Sequence, residues 1–147
     1  SVVTVILEGT RPLLVEIQAL TVTTQLAIPR RVANGFDQNR LQLLTAILQK
    51  RLNMPLGGFD IFINVSGGIS VSEPAVDLAV CMAIISSFLN KAVDKQTVIF
   101  GEVGLLGEVR RITQEERRSK ESKRLGYTTA ISPGVVKSLQ QARKLLD

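Results

Sequence analysis

Apolar and β-branched residues crowd Val2–Leu7 and Leu13–Leu20, and the two runs flank Gly9-Thr10-Arg11-Pro12. Two such runs about a short Gly- and Pro-containing segment predict a β-hairpin. Thr21–Pro29 is a Thr-rich polar extension, read as a continuing strand or a loop. From Asp37 the period changes: Leu41, Leu44, Ala46, Leu48 and Leu52, with Gln, Lys and Arg between them, predict a helix ending near Asn53-Met54-Pro55. Gly57-Gly58 marks a turn, Asp60–Val65 alternates as a strand does, and Ser66-Gly67-Gly68 breaks the alternation. Glu73-Pro74 opens a strongly apolar helix running to about Leu89, with the proline in the first turn, where its missing N–H costs least. Val98–Phe100 predicts a short strand, and Gly101, Gly104 and Gly107 punctuate a second hairpin or bulged turn. Thr113-Gln114-Glu115-Glu116 has capping-box spacing and predicts a helix that ends at Gly126. Thr128–Ile131 is a last strand and Val135–Leu146 a closing helix. No linker, repeat or low-complexity stretch divides the chain, so residues 1–147 predict one α+β domain with helices packed on a mixed β-sheet and a β-hairpin at its N-terminus.

Composition narrows the chemistry. The chain contains no histidine, which excludes a Ser-His-Asp triad, a Cys-His dyad and an imidazole-bound zinc site. Cys81 is the one cysteine, so neither an internal disulfide nor a cysteine-cluster metal site can form, and its apolar setting predicts a core residue rather than a reactive thiol. The opening lacks the basic start of an export signal, and Pro74–Leu89, the most apolar window, is interrupted by Asp77 and too short to span a bilayer. A first residue other than Met, lying directly in a strand-like run, predicts a domain taken from a longer protein.

Charge is unevenly placed. Between Arg110 and Arg124 stand seven basic residues (Arg110, Arg111, Arg117, Arg118, Lys120, Lys123 and Arg124) against three glutamates, so this segment holds +4 of the net +5. A basic stripe attracts polyanions, although a solvated helix face would show the same charge run. Arg30 and Arg31 form a possible second patch. The glycine spacing is neither that of a dinucleotide-binding turn nor that of a phosphate-binding loop.

Three stretches carry more identity than these generic patterns. They are Leu7–Glu16 (LEGTRPLLVE), Pro29-Arg30-Arg31 with Gly35–Leu41 (GFDQNRL), and Glu73–Ala79 (EPAVDLA) with Phe100–Leu105 (FGEVGL) downstream. Taken together they resemble the C-terminal domain of the bacterial RadA (Sms) family of RecA-related DNA repair ATPases, a domain in turn similar to the proteolytic domain of Lon. The resemblance covers essentially the whole chain and implies a Lon-protease-like fold.

Lon-type peptidases use a Ser-Lys dyad, in which a near-neutral lysine takes the serine proton. Carried over by the resemblance, the serine position is Ala75 and the lysine position is Arg118. A methyl group cannot attack a carbonyl, and a guanidinium stays protonated. Ser72 and Lys120 are the nearest substitutes, but Ser72 precedes the proline and Lys120 lies about 200° round a helix from position 118. Arg118, Ser122 and Leu125 share one helical face, which points Arg118 inward with Glu73 or Asp77 as its partner. This helix departs from the family's pattern: Ser119 and Ser122 stand where relatives place apolar residues, which leaves it almost no apolar face.

The resemblance implies a non-catalytic, cytoplasmic domain that assembles with itself into a ring, a hexamer in relatives. It further implies contact with single-stranded or branched DNA during branch migration, the RecA recombinase as a further partner, and no membrane. ATP, Mg and Zn belong to the family's upstream ATPase and zinc domains, outside this fragment, and no cofactor or metal is expected here. The expected DNA-contacting residues are Arg110, Arg111, Arg117, Lys120, Lys123 and Arg124, with Arg30 and Arg31. A purely structural oligomerisation module and a Ser-Lys peptidase are the alternatives.

Overall fold

A computed structural model describes residues 1–146. Eight strands and four helices are defined among them: β1 (Val2–Glu8), β2 (Arg11–Thr23), β3 (Arg31–Asn34), α1 (Gln38–Leu52), β4 (Phe59–Val65), α2 (Asp77–Leu89), β5 (Thr97–Ile99), β6 (Glu102–Val103), β7 (Val109–Arg110), α3 (Glu115–Arg124), β8 (Thr129–Ile131) and α4 (Leu139–Lys144). The N-terminal hairpin pairs Val2 with Ile17 through Glu8 with Arg11, and six strands form one mixed sheet in the order β3-β4-β2-β1-β5-β8. Its β3–β4, β1–β5 and β5–β8 pairs are parallel and its β1–β2 and β2–β4 pairs antiparallel. β6 and β7 form the second hairpin.

The period-2 alternation of the central strands sorts their side chains between two cores of unequal size. Val2, Ile6, Val15 and Ile17 join Ile61, Ile63 and Ile99 in the main core, against α1 and α2. On the opposite face Val5, Val98 and Phe100 form a small core with Leu14, Ile112 and Tyr127, beside α3. α2 is buried over nine consecutive residues, Asp77 to Ile85, because it lies between the sheet and helices α1 and α4. That explains its lack of a polar face.

Local chemistry sets the helix ends. Asp37 caps α1 by accepting the Arg40 amide at 2.9 Å. Just before it, Gly35 has φ +80, and a Cβ there would lie 2.5 Å from the Ile69 carbonyl, so only glycine fits this turn. Pro74 begins a 3₁₀ turn, Pro74–Val76, that leads into α2.

Three expectations change, and one strand falls where no element was predicted. That strand is β3: its four residues have little apolar signature of their own and are held by parallel pairing with β4. The closing helix starts at Leu139, because Val109 and Leu139 amides bind the Lys137 and Gly107 carbonyls and tie residues 137–139 to the β6–β7 hairpin. Ser138 then caps α4 by accepting the Gln141 amide. No capping box forms at α3: its N-cap is Gln114, in the left-handed region at φ 59, without a side-chain cap. Leu125, placed on the inward face of α3, is 47% exposed.

Candidate functional site

The positions that the sequence singled out meet where β1, the Pro74 turn and α3 converge. Glu73 is extended, as a residue before proline must be, and the turn that follows is clasped by Gly101, whose amide donates to the Ala75 carbonyl at 2.8 Å. Ala75 is buried and lines a cleft of about 350 Å³ with Leu7, Glu73, Ile112 and Arg118. Arg118 lies on α3 with its side chain 2% exposed. Its Nη1 donates to Glu73 Oε1 at 2.5 Å and to the Val5 carbonyl at 2.8 Å, while Nε donates to the Thr113 carbonyl at 3.0 Å. Glu73 Oε2 accepts the Leu7 amide at 3.0 Å. Of the two partners open to Arg118, Glu73 is the one it takes.

Asp77 belongs to a neighbouring cleft of about 280 Å³ that shares Glu73 and Pro74 and adds Phe36, Arg40 and Ser72. There Arg40 grips Asp77 with both Nε (3.0 Å) and Nη2, and the Val103 amide donates to the same carboxylate at 3.1 Å. Burial pushes the Asp77 carboxyl above its ordinary range, against the pull of Arg40 and the Val103 amide. Arg40 is a site residue that sequence reasoning missed. Its one sequence signal was its place in the GFDQNR stretch, since the buried Asp77 that it pairs with stands 37 residues further along the chain.

Chemically, the cleft presents a methyl at position 75 and a bound guanidinium at position 118. Neither supplies a nucleophile or a base. Ser72 and Lys120 are not brought together: Ser72 lines the Asp77 cleft, and Lys120 lines a cleft between α3 and the Ser132-Gly134 loop. Among the described residues no group of three or more Cys, Asp or Glu side chains is gathered for a metal ion. Among the same residues no helix is long and apolar enough to cross a membrane.

The basic candidates fall into two sets. Arg110, Arg111 and Arg124 pair with Glu108 (2.9 Å), Glu115 (3.1 Å) and Glu121 (2.9 Å). Arg117 donates to the Thr10 carbonyl at 2.8 Å. Arg30 pairs with Asp60 at 3.1 Å and lies over the Phe62 ring, while Arg31 binds the Leu56 and Phe59 carbonyls. Lys120 and Lys123 are exposed, flank the α3 cleft with Ser119 and Ser132, and make no hydrogen bond or ion pair among the described residues.

The chain is similar to known proteins over most of its length. DNA repair protein RadA of Helicobacter pylori (strain J99) is 49% identical over 133 residues, which are 90% of this chain and 30% of that protein. DNA repair protein RadA of Synechocystis is 49% identical over 131 residues, 89% of this chain and 26% of the relative. The Haemophilus influenzae protein of the same name is 50% identical over 133 residues, 90% of this chain and 29% of its own length. The chain thus spans under a third of these relatives. The family model described as subunit ChlI of Mg-chelatase matches residues 19–135, a span holding β3 to β8, the Glu73–Arg118 pair and the C-terminal end of β2. On that match the chain belongs to the family described as subunit ChlI of Mg-chelatase.

Proposed function

We propose that this chain is a non-catalytic, Lon-protease-like domain of a RadA-type DNA repair protein, serving as an assembly scaffold and a weak DNA-contacting surface. The observation that carries the reading is the near-50% identity to proteins named DNA repair protein RadA over about nine-tenths of the chain. The Ala75–Arg118 geometry supports the non-catalytic part, since Arg118 is spent on Glu73 and two carbonyls. In this reading ATP hydrolysis, with its Mg and the family's zinc motif, belongs to other parts of the whole protein. The whole protein works in the cytoplasm as a ring, with RecA as a partner in branch migration.

DNA contact runs through backbone phosphates. Unpaired surface lysines need only charge and reach to meet them, so binding is sequence-independent and steeply salt-dependent. Arg–Glu pairs contribute less, because their charge is already balanced locally. This moves the expected weight of contact from Arg110, Arg111 and Arg124 to Lys120 and Lys123. The test is a salt titration of single-stranded DNA binding by the parent and a Lys120→Gln/Lys123→Gln variant. Loss of two phosphate contacts lowers the slope of log affinity against log salt by about 1.4 on a single strand. An unchanged slope favours the purely structural module.

A further inference from the structure

β3 is the outermost strand of the sheet, with β4 and β2 between it and β1. Among the described residues it pairs with β4 alone, in parallel, and the Ile61 amide takes the Arg30 carbonyl on that side. Alternate residues of a strand present their backbone groups to the same edge, so those of Arg31 and Ala33 point outward. One side chain meets them there. Gln38 Nε2 donates to the Arg31 carbonyl, and Gln38 Oε1 accepts the Ala33 amide at 3.0 Å. In a parallel ladder, the residue opposite Val32 would give its N–H to the Arg31 carbonyl and take the Ala33 amide on its own carbonyl. The carboxamide, with donor and acceptor side by side, makes that same pair of bonds. Gln38 reaches this place because the chain leaves β3 at Asn34, turns at Gly35 and starts α1 at Gln38 itself. The face beside this edge is apolar. Ala33 packs against the main core, so Val32 lies on the opposite face, where it lines a cleft of about 220 Å³ with Leu20 and Phe62. Leu20, Phe62 and Val32 stand opposite one another across β2, β4 and β3, and Leu20 is 54% exposed.

We infer that the β3 edge is a strand-addition site: an extended, β-branched segment of another protein docks parallel to β3 and displaces the Gln38 side chain. Sheet edges accept extended chains in this way, main-chain bonds giving affinity and alternate side chains giving specificity. Gln38 sets the orientation, because the two groups it uses are the pair that one residue of a parallel strand would use. The Arg31 amide and the Ala33 carbonyl face the same way and carry the next two bonds of that ladder. The guest residue opposite Val32 then extends the row of Leu20, Phe62 and Val32, which calls for a β-branched apolar side chain. Displacement is easy, since Gln38 is exposed and water replaces its two bonds at little net cost. The site shares no residue with the Glu73–Arg118 cleft and is independent of DNA contact.

An end-capped Thr-Val-Thr-Val-Thr-Val peptide, titrated into the whole chain and followed by NMR, tests this. It should shift Val32 and Ala33 resonances in the parent and bind Gln38→Ala about tenfold more tightly, since no side chain has to be displaced. Without peptide, the Ala33 amide of Gln38→Ala should exchange about tenfold faster than in the parent, and added peptide should restore its protection. Gln38→Glu keeps an acceptor for that amide and should hold it near the parent rate. A nitroxide at the peptide's N-terminus should broaden Arg31 resonances more than those of Asn34, as parallel docking requires. Gln38→Ser carries the alanine expectations if that variant does not fold. The inference is overturned if the peptide binds none of these proteins, binds parent and short variants alike, docks at β8 or beside Leu7, or broadens Asn34 more than Arg31. It is equally overturned if sedimentation shows Gln38→Ala pairing with a second copy of itself in place of the peptide.

Discussion

Arg118 shows what residue-scale physics adds to a motif. The sequence placed a guanidinium at a helix position facing inward, and a planar cation removed from water needs partners or it does not stay. Three elements supply them: Glu73, the Val5 carbonyl and the Thr113 carbonyl. The carboxylate was open between Glu73 and Asp77 from sequence alone, and the choice rests on Arg40, which satisfies Asp77 from α1. Helical spacing sees neighbours along one element, so a contact between α1 and α2 was beyond its reach. Arg118→Ala should lower stability by about 2–3 kcal/mol, the loss of charged hydrogen bonds with Glu73 left to rehydrate through its exposed side. Equilibrium urea unfolding measures it, and a loss near zero would mean the pair carries no net stability. Cys81 makes a second residue-scale prediction. It is fully buried, and burial pushes its thiol well above the ordinary range, so the thiolate is not populated. The folded protein should leave a thiol reagent such as Ellman's unreacted until urea unfolds it; rapid labelling under native conditions would contradict the burial.

Among elements, α3 differs from the others in what holds it. Only Arg118 and Ser122 are buried on its ten residues, whereas α2 buries nine of thirteen. A 3.6-residue pattern made α1 legible from sequence, and α2 was legible as a long apolar run opened by Pro74. α3 was legible too, but through its flanking signals and charge rather than an apolar face. Those signals misjudged its start. Thr113 has capping-box spacing, yet its carbonyl is claimed by Arg118 Nε, and the chain turns through a left-handed Gln114 instead. A side-chain contact at the same helix end thus stands in place of the cap. Two outcomes follow at this scale. Hydrogen exchange should open α3 amides well before those of α2, because local opening of α3 exposes little apolar surface; similar protection in both helices would contradict this. Gln114→Gly should stabilise the protein by about 0.5–1 kcal/mol, since the left-handed penalty of a side chain exceeds glycine's extra entropy in the unfolded chain. Thermal unfolding reads the sign directly, and a loss of stability would mean that the Gln114 side chain makes a contact of its own worth more than the strain.

At the scale of the whole molecule, helices on a mixed sheet could be read from alternating periods, but the strand order could not. The sequence holds no mark that β1 sits between β2 and β5, or that β3 closes an edge beside β4. These neighbours come from long-range pairing, and where β5 ends Arg118 and Glu73 take over the Val5 carbonyl and the Leu7 amide. Charge, by contrast, is a whole-molecule property that sequence states in full, and structure decides how it acts with pH. With no histidine, stability should be nearly flat between about pH 6 and 8. On the acid side, Asp60, Glu108 and Glu121 all titrate below their ordinary ranges. Asp60 is lowered first by the Arg30 amide, Glu108 by its own backbone amide, and Glu121 by the Arg124 side chain. A depressed carboxylate adds stability above its unfolded-state value, and that stability is lost as pH falls through its folded-state value. Asp77 acts in the opposite sense, because burial raises it, so its protonation on acidification favours the fold. Three carboxylates against one give a net loss below about pH 4, while protonation of 13 acidic residues carries the net charge from +5 toward +18 and adds self-repulsion. Asp60 isolates one contribution, since its side chain is 3% exposed and Arg30 engages both carboxylate oxygens. Asp60→Asn should have a lower Tm than the parent at neutral pH, and the gap should close as pH falls below 4. Parallel Tm curves across that range would show that the Arg30–Asp60 contact contributes through packing rather than through charge.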